Sequence, residues 1–139
     1  MTEKFQAHNK LADFPFHYEL QTRWKDMDSF GHANNAVFLT YIEDARITFF
    51  KRWNLSFEKK SIIVASVKID YINQIDHPSN LIIGQKISRI GNKSFDIESI
   101  IFNKDLSSYS AVAIVTCVCF DYTNNQSVSV YPEIKADYK

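Results

Sequence analysis

The sequence predicts an α+β domain in which an antiparallel sheet of five to six strands wraps around one long central helix. Three observations carry that reading. Residues 35–53 hold apolar side chains at spacings of three and four, the period of an amphipathic helix. Nearly everything after them alternates with a period of two or runs continuously apolar, as strands do. Turn-forming residues cut that second region into four or five segments joined by connections too short for parallel crossovers.

Residues 1–15 read as a polar arm. Residues 16–24 read as a strand, with Phe16, Tyr18, Leu20 and Trp24 opposed to His17, Glu19, Gln21 and Arg23 and one slip at Thr22. Residues 25–34, rich in Asp, Ser, Gly and Asn, form a loop. In the helix that follows, Phe38, Tyr41, Ile42, Ala45, Phe49 and Trp53 make the buried stripe. Asn34 or Asn35 caps its start, and Lys51 and Arg52 complement the negative end of its dipole. Arg46 falls inside the apolar arc, where it pairs with Glu43 or snorkels to solvent.

Residues 63–71 alternate, with Ile63, Ala65, Val67, Ile69 and Tyr71 facing the core and Val64, Ser66, Lys68 and Asp70 facing out. A turn at residues 77–80 leads to a strand over 81–90, and Gly91-Asn92 joins that strand to 94–102 as a hairpin. After a turn at 105–108, residues 110–122 are apolar on both faces, so both faces are expected to be covered, one by the helix and the other by a partner subunit. Asn124-Asn125 makes the last turn before a short strand over 128–131.

Composition narrows the function classes. The chain has 139 residues, which fits a single domain over residues 1–139. It contains three glycines, at 31, 84 and 91, and no Gly-rich phosphate loop. Sixteen basic residues balance sixteen acidic ones, which argues against a nucleic-acid partner. No apolar run is long enough to span a membrane and no secretory leader pattern precedes the domain. Cys117 and Cys119 sit two apart on a predicted strand, a geometry poor for a disulfide, and two free thiols point to a cytoplasmic location. Neither a metal nor a cofactor is expected.

Chemistry concentrates in Asp26-Met27-Asp28-Ser29-Phe30-Gly31-His32-Ala33-Asn34-Asn35. Two carboxylates, a histidine, a glycine and an Asn pair lie directly before a helix N-terminus, whose free N–H groups and partial positive charge suit an oxyanion. A neighbouring carboxylate can attack a carbonyl or activate water. The same residue types are also the ordinary vocabulary of a solvated capping loop, and on residue types alone that outcome is the more frequent.

This stretch, with Tyr41-Ile42-Glu43-Asp44-Ala45-Arg46 after it, resembles the hotdog-fold acyl-CoA thioesterases of the 4-hydroxybenzoyl-CoA thioesterase type. Their pattern is D-x-D-x-x-G-H-x-N-N followed by an aromatic-rich helix with Y-x-E-x-A-R, and the resemblance covers about residues 16–134. It implies a hydrolase that splits an acyl thioester into free acid and thiol. Asp28 would be its nucleophile or general base, and the Asn35 N–H would polarise the thioester carbonyl. It further implies that Asp26 shapes the loop, that Gly31 permits the turn, that His32 and Asn34 hold the loop by hydrogen bonds, and that Glu43 lies near the acyl pocket. Lys93 and Ser94, in Arg89-Ile90-Gly91-Asn92-Lys93-Ser94-Phe95, match a hairpin that contacts coenzyme A in related enzymes, although Gly91 and Asn92 replace more basic residues there. Coenzyme A enters as part of the substrate. The expected assembly is a homodimer, paired into a dimer of dimers, with active sites at the subunit boundary. Two alternatives share the fold: a non-catalytic module that binds acyl thioesters, and a thioesterase acting on acyl carrier protein. A dehydratase would need a His/Asp pair placed differently, and residues 36–53 contain no histidine.

Overall fold

The computed structural model describes residues 10–138. Six strands form one antiparallel sheet: β1 (Phe16–Gln21), β2 (Ser61–Tyr71), β3 (Asn80–Ile90), β4 (Ser94–Asn103), β5 (Ser108–Asp121) and the short β6 (Gln126–Ser127). Their order is β1-β3-β4-β5-β2, with β6 pairing the far end of β5. The long helix α1 (Asn35–Phe50) lies in the curl of this sheet, which is the hotdog architecture. Its sixteen residues span about 24 Å, and a 3-10 turn at Lys51–Trp53 completes the predicted helical stretch.

Helix and sheet share one apolar layer. Phe38, Tyr41, Ile42, Ala45 and Phe49 of α1 face Leu81, Ile83, Phe95, Ile97 and the inner face of β5. Phe49, Phe50, Trp53 and Phe95 form an aromatic cluster with centroid separations of 5.0–6.4 Å, within the range at which edge-to-face contacts stabilise a core. Gln85 is fully buried under the helix and donates from Nε2 to the Ile42 carbonyl at 3.1 Å.

Several expectations change in the fold. The first strand ends at Gln21, because Trp24–Asp26 wind into a 3-10 turn and leave Trp24 exposed. Of the arm at residues 1–15, positions 1–9 lie outside the described residues. Leu11–Asp13 form a 3-10 turn, and Phe14 is buried on the outer face of the sheet against Ile100. Gly84 makes room there: a Cβ at that position would meet Ile100 Cγ2 at 2.9 Å and Phe14 Cβ at 3.0 Å.

The alternation of β2 also changes face. A bulge at Ala65 separates Val64, opposite Cys117, from Ser66, opposite Thr116. The inner face therefore carries Ile62 and Val64 before the bulge and Val67, Ile69 and Tyr71 after it, where the unbroken period had placed Ile63 and Ala65. Strand β2 is an edge, and the helix sits over β1 and β3, so this inner face is only partly covered: Ile62 and Ile69 pack against the core. Val64, Val67 and Tyr71 are 45%, 43% and 44% exposed.

On β5 the inner residues Ala111, Ala113, Val115, Cys117 and Cys119 are buried, while Ile114 on the outer face is exposed and Val112 and Val118 are half-buried. One chain thus covers only one face of that strand. Both cysteines are free thiols, and burial pushes the Cys117 thiol up to about 12.

In place of the expected last strand over 128–131, β6 occupies Gln126–Ser127 and a second helix, α2 (Pro132–Asp137), closes the described chain. Proline at the first helical position followed by Glu133 is a helix-start signal. The Tyr131 hydroxyl donates to the Ser61 and Phe120 carbonyls, and Asp137 accepts from Trp53 Nε1 at 2.8 Å, which ties α2 to the end of α1.

Candidate active site

The loop between β1 and α1 is built by local hydrogen bonds that its sequence supplies. Asp26 is buried and accepts from the Arg23 backbone N–H at 2.9 Å, from Arg23 Nε at 3.1 Å and from the Tyr41 hydroxyl at 2.7 Å. Burial alone would push its carboxyl up. The hydrogen bonds from Arg23 and Tyr41 outweigh that and hold it below the ordinary 3.8. Burial and the Asp26 carboxylate together push the Tyr41 phenol well above its usual value. Asp26 therefore fastens the loop to the helix, and its backbone carbonyl accepts from Asn34 N–H at 3.1 Å.

Beyond Asp26 the chain makes a tight reversal. The Asp28 and His32 backbones bond to each other (Asp28 N–H to the His32 carbonyl, 2.8 Å), and Gly31 N–H donates to the Asp28 carbonyl at 3.1 Å. Gly31 sits at φ +83°, a conformation that costs a residue with a Cβ about 1 kcal/mol or more. Asn34 is the cap: its side-chain oxygen accepts from Ala36 N–H at 2.8 Å. Asn35 opens the helix, and its own N–H has no hydrogen-bond partner among the described residues.

The Asp28 carboxylate is used asymmetrically. Oδ1 accepts from Phe30 N–H at 2.8 Å and His32 N–H at 3.3 Å, while Oδ2 has no partner among the described residues. One oxygen is anchored and the other is free to act. Asp28 and Asn35 line the same open cavity of about 310 Å³, together with His32, Phe38 and Tyr71. The His32 ring lies 3.3 Å from Asp76 Oδ1.

Tyr71 and the segment from Asn73 to Asp76 are site neighbours that periodicity did not identify. The Tyr71 hydroxyl donates to the Asn35 carbonyl at 2.9 Å, and its ring packs edge-on against Phe38. Ala33 N–H donates to the Ile75 carbonyl at 2.8 Å, which lays this second loop across the first. Nothing local to those residues signals the contact, because it depends on β2 running back along α1.

Other expected site residues are not gathered at this cavity within one chain. Glu43 is two turns along α1, about 12 Å from Asn35, beside Arg46 in a different groove. Lys93 and Ser94 occupy the β3–β4 hairpin at the opposite end of the sheet. Along β5, the span from Ala111, opposite Tyr71, to Val118, opposite Ser94, is roughly 23 Å. Ser94 Oγ accepts from Arg89 Nη2 at 2.9 Å, and Arg89 also pairs with Asp96.

Residues 22–137 match the model of the thioesterase-like superfamily. The chain is 35% identical to YsmA of Bacillus subtilis strain 168 over 88 residues, 62% of this chain and 60% of that protein, so the matched segment spans less than two thirds of YsmA. It is 21% identical to the long-chain acyl-CoA thioesterase FadM of Escherichia coli K12 over 122 residues, 84% of this chain and 92% of that one. Among solved structures, a thioesterase from Thermus thermophilus complexed with coenzyme A and Zn superposes with a TM-score of 0.80 at 25% identity, covering 89% of this chain and 97% of the other. The PA2801 protein of Pseudomonas aeruginosa superposes with a TM-score of 0.82 at 24% identity, covering 88% and 97%. The match takes in the loop at residues 26–35, the long helix and every strand but β1, and the chain belongs to the thioesterase-like superfamily.

Proposed function

We propose that this protein is an acyl-CoA thioesterase. The observation that carries the proposal is that Asp28, whose Oδ2 has no partner among the described residues, and Asn35, whose N–H has none at the start of α1, line one cavity. A thioester carbonyl whose oxygen sits on that N–H gains from a positioned donor and from the helix dipole as negative charge develops. The Asp28 carboxylate then either attacks the carbonyl carbon or takes a proton from an attacking water. When Asp28 attacks, C–S cleavage expels the thiolate and leaves a mixed anhydride on Asp28, which water hydrolyses to the free acid and the carboxylate, its proton going to the thiolate. When Asp28 acts as base, the water oxygen joins the acyl carbon, the C–S bond breaks, and the proton held by Asp28 passes to the leaving thiolate. Asp26, His32 and Asn34 hold the loop, and Gly31 lets it turn. No metal or cofactor is needed for either route.

The working assembly in this proposal is a homodimer formed through β2, with dimers paired further. Strand β2 is an eleven-residue edge strand at the end of the sheet, and its outer backbone edge is the kind that pairs with another strand. A two-fold antiparallel pairing sets the Ser61 end of one copy beside the Tyr71 end of the other. That arrangement brings the partner's hairpin, with its Lys93 and Ser94, to the end of the sheet where Asp28 lies. Coenzyme A, or the phosphopantetheine arm of acyl carrier protein, would then run from the Asp28 cavity towards the partner. Buried free thiols suit a cytoplasmic setting, and no described helix is long and apolar enough to cross a membrane.

The test is thiol release from a panel of acyl-CoA and acyl-carrier-protein thioesters by wild type and Asp28→Asn. Loss of the carboxylate should lower kcat by about 10²- to 10⁴-fold with the fold intact by circular dichroism. Full activity in Asp28→Asn would refute its role. Binding without turnover by the wild type would identify a non-catalytic module instead.

A further inference from the structure

Arg46 presents a buried charge that the mechanism above does not use. It is 9% exposed, in the middle of the apolar arc of α1. Its only ion pair among the described residues is with Glu43, at 3.7 Å between Nη2 and Oε2, beyond hydrogen-bond distance. No hydrogen bond from its guanidinium is present among the described residues. A guanidinium has five N–H donors, and those of Arg46, without a protein partner among the described residues, are left to the groove. The side chain forms one wall of a groove of about 430 Å³ whose other walls are Ile47, Phe50, Phe57, Ile62 and Val64. Glu43 and Lys51 stand on its rim, so the groove carries a net positive charge.

This groove and the Asp28 cavity are separate openings that lie along the same side of α1. Asn35, Leu39, Glu43, Arg46 and Phe50 recur along one side of α1 at helical spacing. β2 runs beside that side, with Tyr71 next to Asn35 and Val64 and Ile62 in the groove with Arg46. Leu39 on α1 and Val67 on β2, both exposed apolar residues, fall between the two openings along these elements.

We propose that Arg46 is the specificity-determining residue of the acyl-binding groove and that it takes a carboxylate at the far end of the acyl group, so that preferred substrates are half-thioesters of dicarboxylic acids. The inference rests on the thioesterase reading for its substrate. The apolar walls accept the methylene chain. The planar guanidinium donates to both oxygens of a carboxylate in a two-point contact that a lysine cannot reproduce. A methyl-ended chain that fills the groove displaces water from the same donors without replacing its hydrogen bonds, which is the discrimination against it.

The experiment compares matched pairs of acyl-CoAs, one ending in a methyl and one in a carboxylate, at short, medium and long chain lengths. For the wild type, kcat/KM should favour the carboxyl-ended member at least tenfold at one length, mostly through KM. In Arg46→Gln that ratio should fall to near one, and in Arg46→Lys it should stay between the two. Absence of a preference at every length in the wild type, or an unchanged ratio in both variants, overturns the inference while leaving thioester hydrolysis standing. A binding arm does not depend on turnover: calorimetric titration with dodecanoate and with 1-dodecanol. Tighter binding of dodecanoate, lost in Arg46→Gln, supports the anion site even if no thioester is hydrolysed. Equal binding of the two probes by the wild type counts against it.

Discussion

The two carboxylates of the site loop lie two residues apart and have opposite duties, and replacing Asp26 with Ala separates them. The Tyr41 hydroxyl, on a side chain that is 2% exposed, donates to Asp26 Oδ2 at 2.7 Å. A hydrogen bond to a charged acceptor is worth about 1.5–3 kcal/mol, and a buried hydroxyl left without a partner costs about 1–3 kcal/mol. The Arg23 side chain is mostly exposed and returns to water, so it adds little. The expected destabilisation is about 3 kcal/mol, a large share of the about 5–15 kcal/mol typical of a domain. Urea unfolding of wild type, Asp26→Ala, Tyr41→Phe and the double variant measures it. Because both single variants remove the same bond, the double should be little worse than Asp26→Ala alone. A cost below about 1 kcal/mol for Asp26→Ala, or strict additivity in the double, would contradict the claim that this bond fastens the loop to the helix.

Other outcomes follow from the same geometry. Gly31→Ala should cost about 1 kcal/mol or more by backbone strain alone, because φ is +83° and no atom lies within 4 Å of the added Cβ; thermal unfolding checks this, and an unchanged Tm contradicts it. Asp26 and Asp96 are both held below 3.8, the second by Arg89 and Thr116. Depressed carboxyl values make stability complete above the unfolded value and lost as pH falls below it, so stability should decline from about pH 5 downward. Asp26→Asn should flatten that decline, and an unaltered acid limb would show that Asp26 does not contribute. Val67→Lys places a charge on the exposed part of the inner face of β2 and should shift the protein from dimer to monomer by sedimentation. A wild type that is itself monomeric at micromolar concentration would remove β2 as the interface.

The site loop is legible in the sequence because its structure is local. Asp28, Gly31, His32 and Asn34 bond to partners within four residues, and such short-range turns and caps are chosen by residue type. The resemblance then adds roles that spacing alone leaves open between a capping loop and a site. Tyr71 shows the opposite case. Its alternation correctly puts it on the inner face, but whether that face is covered depends on where α1 lies across the sheet, and the helix stops short of the edge. Ile62 and Val64 reach the groove because one extra residue at Ala65 reverses the pleat, and a bulge has no reliable mark in a run of β-formers.

By itself the sequence determined the long helix, the sheet-rich remainder and the loop that offers a carboxylate to a helix N-terminus, because each follows from periodicity, capping and turn chemistry over a few neighbouring residues. Tertiary structure decided the rest. It laid the segment around Asp76 against His32, buried Phe14 over Gly84, and added α2 under Trp53. It also separated Lys93 and Ser94 from Asp28 along the length of the sheet, and left β2 and Arg46 lining an open groove. Those outcomes depend on contacts between residues far apart in the chain, which strand order, register and the position of one helix fix together.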